Sequence, residues 1–321
     1  MTGSERPPLH EPVMLQETMT ALALAPGGRF VDGTLGTGGY AAMILEATAP
    51  DGQLLALDWD DQALALARQR LGEARGRLRY ARAGFAELPT LLAELGWEQG
   101  VDGLVLDLGL SSAQLDSEER GFAFSVDGPL DMRMDRRLRR CAADLANELP
   151  EADLADLIYR FGEEPKSYRV AKAIVAMRAI APLRTTGDLR EAVHRAGLRG
   201  RRGHDPCTRT FQAFRIAVNG ELEQLEAFLN RGWELLRPGG RMAILSYHSL
   251  EDRLVKNAFR TWAADCLCPP RQPLCCCGWT SKVRLVGRRQ VASASETERN
   301  RRARSAGLRV VERRPPEQSD G

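Results

Sequence analysis

No run of about 18 apolar residues occurs anywhere in the 321-residue chain, which excludes an ordinary membrane-spanning helix. The opening stretch, MTGSERPPLHEP, lacks the apolar core of a secretory signal, so a cytoplasmic location is expected. Cysteine is sparse outside one place. Of seven, five fall between Cys266 and Cys277, and an odd total without a secretory signal is no disulfide framework. Internal repeats are missing. Net charge is nearly missing too, at +2, but it is unevenly spread. From Thr280 to Gly321 there are 11 basic against 5 acidic residues, a net of +6, which leaves −4 on the remainder. A basic tail on a mildly acidic body suits a polyanionic partner or a solvated terminus. What the chain has in quantity is apolar residues, 43%, enough for a sizeable core in one large domain or two ordinary ones.

Those apolar residues alternate between strand and helix patterns. Residues 29–32 predict a first strand and 40–49 a helix. GQLLALDWD predicts a second strand ending at Asp58, and DQALALARQRL a helix capped by Asp60 or Asp61. LRYARAGF, LPTLLAELG and VDGLVLDLG continue as strand, helix and strand, the last almost wholly apolar as in a strand buried on both faces. Such alternation implies a parallel α/β sheet. It stops between Leu115 and Arg209. There EADLADLIYRFG, YRVAKAIVAMRAI and TGDLREAVHRAG space their apolar residues at three and four, as helices do. One long helix over TFQAFRIAVNGELEQLEAFLNRGWELL and a strand in RPGGRMAILSYH come next, and the last forty residues read as irregular. The fold expected is an α/β domain with a mainly helical insertion. The boundaries predicted are 1–114 with 210–310 for the discontinuous α/β domain, 115–209 for the insertion, and 311–321 for a disordered tail.

The first strand runs into DGTLGTGG. Gly36, Gly38 and Ala41 fit the form G-x-G-x-x-A of a dinucleotide-binding turn. Asp32 argues for a different ligand. A pyrophosphate disfavours a carboxylate there, whereas the sulfonium and ammonium groups of S-adenosylmethionine favour one. Asp58 lies about 20 residues beyond the loop, at the strand end where an acid accepts from ribose hydroxyls. A dehydrogenase would need a hydride-transfer site, and none is found. The plain alternatives are a tight glycine turn and Asp58 as a helix cap.

Several longer stretches carry a specific resemblance: HEPVML (10–15), DGTLGTGG (32–39), LDLGLSSAQLD (106–116), RGFAF (120–124), PLDMRMD (129–135), TRTFQAFRIAVNGEL (208–222), LSYHSLEDRLVK (245–256) and RARSAGLRV (302–310). In these the chain closely resembles the RsmH (MraW) family of bacterial 16S ribosomal RNA cytosine-N4 methyltransferases. The resemblance implies a class I, Rossmann-like S-adenosylmethionine-dependent fold with an inserted helical domain for the RNA substrate. It implies methylation of a cytidine in the decoding region near the P site, on the 30S subunit, and a homodimer. Cofactor contacts are implied at Gly38, Gly39, Tyr40, Asp58, Phe85, Asp107 and Gln114, beside Asp32 and Gly36 of the loop. Tyr40 departs from the family, which usually has histidine there; a backbone contact survives that change better than a side-chain contact.

The chemistry sets its own demands. A cytosine amine is a weak nucleophile, because its lone pair is delocalised into the ring. It must be held in line with the methyl donor, its protons drawn by acceptors, and one proton removed. The base must also leave its stack. Asp107 is the first candidate acceptor, with Ser111 and Ser112 behind it. The two prolines and aromatic that follow the acid or serine in many DNA amino-methyltransferases are missing here. His248 is a candidate proton acceptor or base-positioning group, or a loop histidine that bonds locally. Asp131 and Arg133 either face the substrate or pair with each other.

Arginines crowd RMDRRLRR (133–140), LRGRRGHDPCTR (198–209) and RNRRARSAGLR (299–309). As a set they suit phosphate, although any single one is readily a solvated surface residue. Cys266, Cys268, Cys275 and Cys277 offer four thiolates, but both pairs are C-x-C rather than the C-x₂-C of a zinc knuckle. An ordered thiol-rich loop is the other reading. The resemblance requires no metal, and none is assigned. Rival functions are methylation of an amine in DNA or a small molecule, and a non-catalytic RNA-assembly factor.

Overall fold

Two-residue periodicity in the strands sends successive side chains to opposite faces of one sheet. Val31, Leu55, Leu57, Leu104, Leu106, Met242 and Ile244 fill one buried face, and Phe30, Leu54, Ala56, Val105, Ala243 and Leu245 the other. The structure, a computed structural model, describes residues 12–200, 205–269, 271–272 and 274–315, apart from the side chain of Ser112.

The chain begins with α1 (Leu15–Leu22), β1 (Arg29–Asp32), α2 (Gly39–Ala47), β2 (Gln53–Asp58), α3 (Asp61–Leu71), β3 (Leu78–Arg82), α4 (Leu88–Glu94) and β4 (Val101–Asp107). Asp60 is the cap of α3: its Oδ1 accepts the Gln62 N–H at 3.0 Å. Helices α5 (Ser112–Asp116), α6 (Ala142–Glu148), α7 (Glu151–Gly162), α8 (Ser167–Arg178), α9 (Thr186–Arg195) and α10 (Cys207–Asn219) follow without a strand among them. The chain then forms α11 (Glu221–Arg231), β5 (Leu236–Ser246), α12 (Ser249–Trp262), β6 (Val283–Leu285), β7 (Gln290–Val291), α13 (Ala294–Arg299) and β8 (Gly307–Arg313).

The sheet order is β3-β2-β1-β4-β5-β8-β6, with β7 also beside β8. Strands β1 to β5 are parallel, and β8 is antiparallel to β5, β6 and β7. The chain moves outward from β1 through β2 to β3, then returns to place β4 on the other side of β1. This Rossmann-like, class I arrangement opens a crevice at the carboxyl ends of β1 and β4. Leu225, Phe228, Val255 and Phe259 cover one face, and Leu22, Ile44, Leu64 and Ala67 the other.

Several expectations are corrected. Residues 282–315 are not irregular: β6, β7 and β8 extend the sheet, with α13 between β7 and β8, because Leu308, Val310 and Val311 are buried. Of the tail expected over 311–321, Val311, Glu312 and Arg313 belong to β8, and 316–321 lie outside the described residues. The single long helix is two. Gly220, at φ +60°, ends α10, and Arg215 then donates from Nε and an η nitrogen to Glu221 at 2.8 and 2.9 Å, clamping the break. The two compact units of the chain are 1–109 with 224–321, and 110–223. The second unit therefore takes in 110–114 and 210–223, which the boundaries predicted above place in the α/β domain.

The second unit has its own core. Leu154, Ile158, Val170, Ile174, Leu189, Val193 and Phe214 are buried on α7 to α10. Buried Asn219 fixes the 129–135 segment, accepting from Met134 N–H at 2.7 Å and donating to the Met132 carbonyl at 2.8 Å. Asp131 and Arg133 form the internal pair, with two hydrogen bonds of 2.8 Å between their side chains.

Candidate active site

Parallel strands β1, β2 and β4 each end in an aspartate: Asp32, Asp58 and Asp107. Their register sets the three carboxylates along one rim, since Asp32 pairs with Ala56 of β2 and with Val105 of β4. Asp32 is fully buried, whereas Asp58 and Asp107 each keep an edge open. Enclosure by protein pushes the Asp32 carboxyl up to about 7; the Thr34 N–H opposes this, and the charges of Asp107 and Asp58 add to it. Burial likewise takes Asp58 to about 6, against the N–H groups of Asp60 and Gly36. Asp107 rises to about 7 for the same first reason, against the hydrogen bond from Tyr247. Three carboxyls that resist ionisation in one rim lower their energy by gaining a cation.

The glycine loop is held from below. Gly36, at φ +52°, donates its N–H to Asp58 Oδ2 at 2.8 Å, and Asp60 N–H donates to Asp58 Oδ1 at 2.9 Å. Arg70 donates to the Thr37 carbonyl at 3.1 Å. Gly38 takes φ +82°, and a Cβ on Gly39 would sit 2.2 Å from Pro12 Cγ, so side chains are excluded from the turn. Asp32 Oδ1 accepts the Thr34 N–H at 3.2 Å and the Ala41 N–H also favours the charged carboxylate, while among the described residues no group makes a hydrogen bond of good geometry to its buried Oδ2. An unpartnered buried carboxylate oxygen is costly, and a ligand bearing ammonium or sulfonium charge would relieve it. The residues present fit S-adenosylmethionine on that ground.

Other candidates are placed as follows. Phe85 is buried after β3, with Trp59 stacked on it at 6.2 Å between ring centroids and Phe228 edge-on at 5.6 Å. Tyr40 is buried in the first turn of α2, its hydroxyl donates to the Val13 carbonyl, and the charges of Asp107 and Asp32 act on it. Ser111 and Gln114 lie in the second unit and form a capping box at α5. Ser111 Oγ accepts Gln114 N–H at 3.2 Å, and Gln114 Oε1 accepts Ser111 N–H at 3.0 Å. The side chain of Ser112 lies outside the described residues. His248 is the cap of α12: its Nδ1 accepts the Glu251 N–H at 3.4 Å, and its Nε2 lies 3.2 Å from Glu251 Oε1 without hydrogen-bond geometry.

Two contributors were missed in the sequence. Tyr247 donates to Asp107 Oδ1 at 2.6 Å, and Thr34 Oγ1 accepts the Asp107 N–H at 2.6 Å. The signal for Tyr247 was its place two residues beyond Leu245, which pairs with Asp107 across β4 and β5. That register is not visible before the strands are paired. Asp107 is thus gripped by residues just beyond the ends of β1 and β5, while part of its surface stays open.

The model of the MraW methylase family matches residues 8–314. A Syntrophobacter fumaroxidans protein called ribosomal RNA small subunit methyltransferase H is 50% identical over 307 residues, covering 95% of this chain and 96% of that one. Its namesake from Nitratidesulfovibrio vulgaris is 46% identical over 316 residues, 97% of this chain and 87% of that one. That of Thermomicrobium roseum is 50% identical over 306 residues, 95% and 93%. With a family model and such relatives spanning nearly its whole length, this chain belongs to the MraW methylase family and is a methyltransferase.

Proposed function

We propose that the protein transfers a methyl group from S-adenosylmethionine to the N4 amine of one cytidine in the decoding region of 16S ribosomal RNA, presented on the 30S subunit in the cytoplasm. The observation that carries this reading is the rim of three aspartates, with the orphan Oδ2 of buried Asp32 awaiting a positive group. Bound there, S-adenosylmethionine supplies an electrophilic methyl on a cationic sulfur. Asp32 and the turn Gly36, Gly38 and Gly39 hold its amino-acid end, Asp58 its ribose, and Phe85 covers its base. Asp107 accepts a proton of the substrate amine and localises its lone pair, and Tyr247 keeps Asp107 oriented. The relatives' printed name supports ribosomal RNA of the small subunit as substrate. The exposed arginines of 133–140 support a polyanionic partner.

Incubation with methyl-labelled S-adenosylmethionine and 30S subunits from a strain lacking the enzyme tests the reading. Label on N4 of a single 16S cytidine is expected. Label on another base, on protein, or on neither overturns it.

A further inference from the structure

We propose that Cys266, Cys268, Cys275 and Cys277 bind one zinc ion, which orders the tip of the loop between α12 and β6.

Their four sulfurs all lie within 4.8 Å of one another. The Sγ separations are 3.4 Å for Cys266–Cys275, 3.7 Å for Cys266–Cys277, 3.6 Å for Cys275–Cys277 and 3.9 Å for Cys268–Cys275. Zinc–thiolate bonds of about 2.3 Å in a tetrahedron place the sulfurs about 3.8 Å apart. A disulfide uses one sulfur neighbour; Cys275 has three. The fifth thiol, Cys276, turns away and accepts from Gln272 Nε2 at 2.8 Å. The loop thus separates four sulfurs from a fifth that is adjacent in sequence.

Backbone amides complete the site. Leu267 N–H donates to Cys277 Sγ at 3.4 Å, Cys268 N–H to Cys266 Sγ at 3.3 Å, and Cys276 N–H to Cys268 Sγ at 3.4 Å. Such donors spread the negative charge of metal-bound thiolates and orient them. They also answer the objection raised by C-x-C spacing: each pair enters from one limb of a reversed loop, and the tetrahedron is closed across the limbs.

The loop needs such a centre. Its base is clamped, with Lys282 N–H on the Trp262 carbonyl at 2.7 Å and Trp279 Nε1 on the Ala264 carbonyl at 3.0 Å. Among the described residues its tip has no buried apolar side chain, and Leu274 is 81% exposed. Among the described residues between α12 and β6 there is no helix or strand; so long a loop inside a folded domain is uncommon unless something ties it, and a tetrathiolate metal does so where no core can.

The test is elemental analysis of the full-length chain, purified without chelator or metal-affinity resin. One zinc per chain is expected, released stoichiometrically when a mercurial titrates the thiols. Cobalt replacement should give the intense visible d–d bands of tetrahedral thiolate coordination. The double variant Cys266→Ser/Cys275→Ser should lose the zinc and become open to protease between residues 263 and 282, whereas Cys276→Ser should keep both metal and resistance. Metal-free wild-type protein with these thiols paired as disulfides, or all freely reactive, overturns the proposal. So does iron in place of zinc, or equal zinc in the double variant. Should the double variant not fold, the wild-type metal content decides alone.

Discussion

Tyr247 and Asp107, 140 residues apart in sequence, are joined by a hydrogen bond of 2.6 Å from phenol to carboxylate. The bond opposes the rise that burial imposes on Asp107, whose carboxyl stands near 7. Tyr247→Phe removes the opposing contribution, so the Asp107 pKa must move upward. Methyl transfer by the wild type should increase with pH along one ionisation near 7. In Tyr247→Phe that midpoint should lie higher, with the rate at neutral pH down by about tenfold. Single-turnover rates from pH 6 to 9 check this; an unmoved midpoint would separate Asp107 from proton removal.

Asp32 makes the folded protein less stable as pH rises. Its carboxyl has an ordinary value of 3.8 and is raised to about 7 by burial. Between these values the folded state binds more protons than the unfolded chain, so stability falls as pH climbs from about 4 to about 7 and the deficit is complete above that. Asp32→Asn keeps the acceptor for Thr34 and removes the charge. At pH 8 its melting temperature in the absence of ligand should be about 5 °C above wild type, with the gap closing toward pH 4. Its affinity for S-adenosylmethionine should fall at least about tenfold. Calorimetry measures both, and a variant less stable at pH 8 would contradict the assignment.

Gly38 and Gly72 both hold positive φ, at +82° and +57°. An added Cβ meets Leu71 Cδ1 at 2.8 Å at Gly38, and nothing within 4 Å at Gly72. Either change to alanine should cost about 1–2 kcal/mol in backbone strain. Only Gly38→Ala should also weaken cofactor binding, because it displaces the turn. Equal affinities for the two variants would show that the loop does not form the ligand cradle.

Arginines 133–140 divide into two groups. Arg133 pairs with Asp131, Arg137 with Asp135 and Arg140 with Glu148, while among the described residues Arg136 and Arg139 are exposed and no ion pair of theirs is found. Arg136→Ala/Arg139→Ala should weaken RNA binding and lower the dependence of log affinity on log salt by roughly two. Thermal stability should be unchanged. Arg133→Ala should instead destabilise the second unit, by leaving half-buried Asp131 unpaired. Filter binding over a salt series and thermal denaturation distinguish the two outcomes.

Local rules made much of this legible. Hydrophobic alternation located β1 to β4, and helical spacing located α7 to α9, because both periods are short and belong to one segment at a time. The strands near the carboxyl end were harder: β8 follows short helical turns, and its identity as a strand depends on β5 and β6 lying on either side. The break at Gly220 was missed because apolar periodicity runs through it, and only the left-handed glycine with its Arg215–Glu221 clamp reveals two helices.

By itself, the sequence determined which residues are candidates for chemistry: aspartates at strand ends, glycines in a turn, and four cysteines within twelve positions. Tertiary structure alone decided what each one faces. It set Tyr247 on Asp107, made Ser111, Gln114 and His248 part of helix caps, and left Asp32 Oδ2 without a hydrogen-bond partner among the described residues. The physical reason is that spacing along a chain constrains conformation over a few residues, whereas a hydrogen bond between strands depends on register, and register is settled only when both faces of the sheet are buried.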